Sequence, residues 1–349
     1  MDLITSGFNR FNKFSISKYL NIKTAQSLKI IQYFIELMEV IFEKGRFIAE
    51  AHQMLRRRRF GVIVGEKIEL HPAEVGYLLI KDLVKIRKNE DYLSFEDFLS
   101  EVSKDEDFLP FFFVYVDLRD RGKRVKPEGR FLYGDRIYLP ISERKEISIP
   151  ELYQIYEEKG EYILAVVDEE SEITYYRVFE PELRGGAERV EMGVKGIFAG
   201  DRVVTESKEL FERFFYGSEK DGFVALSILE ALYLSERGIL EVDEDLRKVA
   251  ENIERDFEER YELYTDLKER GMVVKTGFKF GSDFRVYDEI TDVSQLPHSK
   301  YLVSNIKSKL GLPEISRAVR LANSVRKKMV FSFKLNGNRK YLILDRVKV

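Results

Sequence analysis

The chain repeats itself, and this constrains its fold more than any other feature. The stretch "FFVYVDLRDRGKRVKPEGRFLYGDRIYL" begins at Phe112, and "YELYTDLKERGMVVKTGFKFGSDFRVYD" begins at Tyr261. They align without a gap at an offset of 149. Tyr115, Asp117 and Leu118 match Tyr264, Asp266 and Leu267, Arg121-Gly122 matches Arg270-Gly271, and Val125-Lys126 matches Val274-Lys275. The same offset sets Tyr138 against Tyr287 and Ile149 against His298. A self-match of this length is read as duplication. Each copy therefore has to be one folding unit.

Each copy reads as a long amphipathic helix ending at a glycine, which takes the left-handed cap cheaply. Two β-branched and aromatic runs follow, then a second helix and a closing hairpin, "YILAVVDEESEITYYRVF" or "KMVFSFKLNGNRKYLILDRV". A smaller unit precedes each helix and carries a Glu-x-x-Tyr-Leu step, at Glu74, Tyr77 and Leu78 and at Glu230, Tyr233 and Leu234. The expected class is α+β with a mixed sheet: a tandem duplication, each copy a small N-terminal α/β subdomain plus an α/β module. The expected boundaries are an extension over 1–44, a small subdomain over 45–100, the first module over 101–185, a second small subdomain over 186–243 and the second module over 244–349. "RGGAER" at 184–189 reads as the linker between copies, and "AQSLKIIQYFIELMEVIF" reads as a helix. The apolar terminal strand "KYLILDRV" is expected to pair across a dimer axis.

With 349 residues and 44 % hydrophobic content, the chain can fill more than one core. It has no cysteine, which excludes a disulfide framework and a thiolate metal site and makes the cytoplasm the expected location. No apolar run is long enough to cross a membrane. The net charge of −3 hides a segregation of charge. Residues 299–349 hold 13 Lys and Arg against 2 acids, whereas residues 141–185 hold 5 against 12. The basic half suits phosphates. The acidic tip Asp168, Glu169, Glu170 and Glu172 suits docking on a basic surface of another copy.

Tyr287, His298 and Lys327 lie in the basic copy. A histidine can protonate a leaving oxygen near neutral pH, a lysine can balance charge on a pentavalent phosphate, and a tyrosine beside a cation can act as base. Together they suit metal-free RNA cleavage by an adjacent 2′-hydroxyl. Arg320 and Lys327, seven apart, are expected on one helix face. Each residue also has a structural reading: packing for the tyrosine, a surface loop for the histidine, a solvated helix end for the lysine. His52, His71 and the Arg56–Arg59 run are read as structural. A metal-dependent nuclease and a non-catalytic binder of structured RNA are the rival readings.

"GFKFGSDFRVY", "HSKYLV" and "AVRLANSVRKKMVF" resemble the catalytic module of the archaeal tRNA-splicing endonucleases. The resemblance covers roughly 47–349 and has the layout of the homodimeric form, an inactive nuclease-like copy ahead of an active one. It implies Tyr287 as general base, His298 as general acid and Lys327 as transition-state stabiliser, with Lys328 the adjacent alternative. It also implies RNA contacts from Arg320 and Arg346, beside the cations Arg326 and Lys328, and insertion of the Asp168–Glu172 loop into a partner. The implied substrate is precursor tRNA with a bulge–helix–bulge, cut by a homodimer without cofactor or metal, leaving 2′,3′-cyclic phosphate and 5′-hydroxyl ends.

Overall fold

The computed structural model describes residues 37–254, 256–290, 298–306 and 309–349. It divides into two compact units, one up to Asp105 and one from Glu106 onward. Residues 1–36 of the expected extension lie outside the described residues, and so does most of the expected helix at 25–42. The remainder of that helix is a strand instead. Met38–Glu43 turns back on Arg46–Glu50 and pairs in parallel with Val84–Lys88. The first unit therefore starts before residue 45. It also ends after residue 100, because helix Phe95–Val102 buries Phe98 against Phe47.

The two long helices are each broken. Phe95–Val102 is separate from Phe108–Asp120, and Leu246–Ile253 from Phe257–Glu269. In the second pair the break falls at Asp256, whose backbone is left-handed (φ 59°), a conformation no helix propagates. The second helices of the pairs are 149 apart at both ends, as the repeat requires.

The Glu-x-x-Tyr-Leu step proves to be a helix start. Glu230 caps the N-terminus of helix Ile228–Ser235 through Ser227 and accepts the Gly217 N–H at 2.9 Å. Glu74 does the same for Pro72–Ile80, through His71 and Gly61. Burial pushes the Glu230 carboxyl up, but Lys275 and the Gly217 and Ser227 N–H groups outweigh it and hold it below the usual carboxylate range. Lys275 belongs to strand Val273–Thr276, so this pair ties the second small subdomain to the second module's sheet. Glu230→Ala removes the acid partner of the part-buried Lys275, which among the described residues keeps only its bond to the Gly217 carbonyl at 2.7 Å. The substitution is expected to cost about 3 kcal/mol, read as a fall in urea midpoint at constant slope. His52 and His71 cap helices through their Nδ1 atoms, and Arg56 to Arg59 are exposed at the end of helix Gln53–Arg57, as expected of structural residues.

Within the second unit the two modules share one ten-stranded sheet. Its centre is the antiparallel pair Ile173–Phe179 and Asn338–Val347, with Tyr176 opposite Arg346. The terminal strand therefore joins the two copies within one chain rather than across a dimer axis. Its apolar residues are accounted for by burial on both faces, Leu342 and Leu344 on one side and Tyr341 and Ile343 on the other.

Strand register corrects the alignment of the copies. Tyr175 and Tyr341 each donate a hydroxyl hydrogen bond to the equivalent aspartates Asp117 and Asp266, which fixes them as counterparts. From there the ladders run Tyr175 to Ala165 and Ile163 to Tyr138 in one copy, and Tyr341 to Ser332 and Val330 to Val303 in the other. Tyr138 thus corresponds to Val303, not to Tyr287. Helices Ile149–Lys159 and Leu312–Ser324 both begin apolar-Pro-Glu, so Ile149 corresponds to Leu312, not to His298. Paired Leu132 and Tyr138 are six positions apart, whereas paired Phe284 and Val303 are nineteen apart. The gapless offset fails because the second copy holds thirteen extra residues here. His298 belongs to that longer connection.

Candidate active site

Strand Phe284–Tyr287 alternates strictly. Phe284 and Val286 enter the core beneath helix Phe257–Glu269, so Arg285 and Tyr287 point to the other face. Tyr287 is opposite Val273 and packs with Val273 and Ile290. On the strand's other side Arg285 is opposite Leu302, and the Lys300 N–H donates to the Val286 carbonyl at 3.2 Å. The ladder therefore carries Ser299 and His298 past the end of the strand that holds Tyr287. His298 is exposed, while Ser299 is buried.

The "RGGAER" stretch is less a loose linker than a support for this strand. Its Gly185 and Ala187 N–H groups donate to the Arg270 and Gly271 carbonyls, and Gly186 donates to the carbonyl of Asp288, the residue after Tyr287. A Cβ on Gly185 would stand 2.2 Å from the Gly271 oxygen and 2.6 Å from the Asp288 oxygen, so this close approach requires glycine.

Lys327 arrives from the third side. Helix Leu312–Ser324 ends before it, Arg326 takes a left-handed conformation (φ 58°), and the Lys327 N–H donates back to the Ala322 carbonyl at 2.9 Å. Lys327 is thus not on the helix, and the expectation that it shares a helical face with Arg320 is overturned by that turn. Its ammonium donates to the Ser299 carbonyl at 3.1 Å and lies 5.6 Å from the Phe280 ring centroid. Burial, then Arg285 and Lys279, lower its pKa below the usual lysine value.

Lys328 turns the other way. It is opposite Tyr301, on the face of Val330, and reaches Asp345 at 3.9 Å and the Phe179 ring at 5.3 Å. Arg320 and Arg326 are exposed, on helix Leu312–Ser324 and just past it. Arg346 is exposed and alternates with Leu342 and Leu344, which puts it on the sheet face covered by that helix. In the acidic loop Asp168 accepts the N–H groups of Glu170 and Glu172, and Glu169 pairs with Arg144 at 2.7 Å, leaving Glu170 and Glu172 exposed.

Reading the sequence alone misses Arg285, Ser299, Lys279 and Phe280. For Arg285 a signal was present: in a strand, positions i and i+2 share a face, so "RVY" places it beside Tyr287.

Tyr287 is on the second strand of the ten-stranded sheet, and Lys327 reaches the carbonyl of the residue after His298; comparison with known proteins gives the family. The tRNA intron endonuclease catalytic C-terminal domain matches residues 257–341. The N-terminal domain of the same family matches twice, at 38–99 and 194–252. A tRNA-splicing endonuclease of Methanococcoides burtonii is 35 % identical over 319 residues, 81 % of this chain and 91 % of the relative. That of Natronomonas pharaonis is 34 % identical over 313 residues, 78 % and 88 % of the two chains. The chain belongs to the tRNA intron endonuclease family. The second N-terminal match extends to 252 and takes in all but the last residue of helix Leu246–Ile253.

Proposed function

We propose that the chain is a tRNA-splicing endonuclease that excises introns from precursor tRNA at bulge–helix–bulge sites, and that Tyr287, His298 and Lys327 perform the cut. The observation that carries this reading is the hydrogen bond from the Lys327 ammonium to the Ser299 carbonyl, which ties the lysine to the residue next to His298, alongside the strand of Tyr287.

Tyr287 takes the proton from the ribose 2′-hydroxyl, whose oxygen attacks the adjacent phosphorus. The bond from phosphorus to the 5′-oxygen breaks as His298 protonates that oxygen. Lys327 faces the non-bridging oxygens, where charge grows in the transition state. The step needs no oxidant, cofactor or metal, and it leaves a 2′,3′-cyclic phosphate and a 5′-hydroxyl. Lys327 suits the stabilising role better than Lys328, since Lys328 is on the opposite face beside Asp345.

Arg320, Arg326 and Arg346, exposed around helix Leu312–Ser324, hold the RNA. A substrate with two bulges needs two such sites at fixed spacing, and two chains related by a twofold supply them. The exposed Glu170 and Glu172 dock on the partner's basic module. The enzyme works in the cytoplasm. A precursor tRNA with the two-bulge motif should be cut at both bulges, and light scattering should give twice the chain mass. An active monomer would remove the homodimer from this reading, and an uncut precursor would remove the activity.

A further inference from the structure

The second copy differs from the first at one more place. Paired Pro127 and Leu132 are five positions apart, whereas their counterparts Thr276 and Phe284 are eight apart. The longer hairpin closes through a single 3₁₀ turn, Phe278–Phe280, ended by Gly281 at φ 63°. Phe280 packs against the core under helix Leu312–Ser324. Phe278 goes the other way and is 89 % exposed, more than any other large hydrophobic side chain among the described residues.

Next to Phe278 in the chain is Lys279, one of three cations clustered near the Phe280 ring. Lys279 and Lys327 lie 5.1 and 5.6 Å from the Phe280 ring centroid, and Arg285 is close enough to lower the Lys327 pKa. The Arg285 Nε is buried without a hydrogen-bond partner. Among the described residues none of the three pairs with a carboxylate. In the first copy the register puts Tyr133 where Arg285 stands. Mutually repelling cations are tolerated where an anion completes the site, and the exposed Phe278 ring, in the same turn as Lys279, adds a face for a base. That combination is how single-stranded nucleic acid is held: stacking on rings, charge on phosphates. An acidic protein loop would satisfy the cations but offers no flat face to Phe278.

We propose that Phe278 is a stacking platform for an unpaired nucleotide beside the cut, and that Lys279 and Arg285 hold the phosphates flanking it. The proposal rests on the reading of this site as an RNA-cleaving one.

The test uses the full chain and a bulge–helix–bulge RNA with 2′-deoxyribose at the cut positions and 2-aminopurine at the unpaired ones. Binding should quench the 2-aminopurine. Phe278→Ala should abolish the quench and weaken binding about tenfold. Phe278→Trp should keep both, and the melting temperature should not move because the ring is already in solvent. Arg285→Gln should lower the salt dependence of binding by about one counterion. Unchanged quench and affinity in Phe278→Ala would overturn the proposal. So would loss of the dimer in that variant, since the ring would then be a protein contact. His298→Ala in parallel separates the two readings: if it cleaves normal RNA at the unmodified rate, the site assignment fails while the quench still decides on Phe278.

Discussion

His298→Ala is expected to slow single-turnover cleavage of a bulge–helix–bulge RNA by about 10²–10⁴-fold, the range for removing a general acid. RNA affinity and melting temperature should hardly change. The side chain is exposed, and the carbonyl that anchors Lys327 belongs to Ser299, so no packing depends on the imidazole. The defect should shrink when the 5′-oxygen is replaced by sulfur, a leaving group that needs no proton. A full-rate alanine variant would remove His298 from the acid role.

Lys327→Ala is expected to cost about 10²–10³-fold in the cleavage step, and Lys328→Ala only a few-fold, through weaker RNA binding. The two neighbours differ because one residue of strand register sends them to opposite faces, Lys327 toward Ser299 and Phe280 and Lys328 toward Asp345. The rate should also fall at alkaline pH earlier than an ordinary lysine allows. The catalytic form is the cation, burial and the nearby Arg285 and Lys279 depress its pKa, and so the active form is present at low pH and lost as pH rises through a value below 10.5. In Lys327→Arg that alkaline limb should move upward, since guanidinium keeps its proton. Equal losses at the two lysines would mean that charge density, not a positioned ammonium, supports cleavage.

Much of the architecture was legible because duplication leaves its trace in residue type. The matching helices, the Glu-x-x-Tyr-Leu starts and the cluster of basic residues were all readable before any coordinates. Register was not. "RIY" and "RVY" look alike, yet Tyr138 belongs to the third strand of its module and Tyr287 to the second, and only the hydrogen-bonded ladders tell them apart. The pairing of Ile149 with His298 therefore falls. The second copy has a longer connection, and His298 comes with it. Likewise the seven-residue spacing of Arg320 and Lys327 looked helical because nothing in "SVRKK" announces the left-handed backbone of Arg326. The terminal strand was read as an interface for the same reason: an apolar run shows that a strand is buried, not by what. Arg285 does not stand out by residue type, since an arginine titrates far from neutral pH, although its alternation with Tyr287 places both on one strand face.

The central claim is that three side chains cut RNA through its own 2′-hydroxyl. The ends left by the purified chain on a bulge–helix–bulge RNA in EDTA test it most directly. The account predicts undiminished cleavage, with a 2′,3′-cyclic phosphate on one fragment and a 5′-hydroxyl on the other. A 3′-hydroxyl with a 5′-phosphate, or loss of cleavage in the chelator, would contradict it.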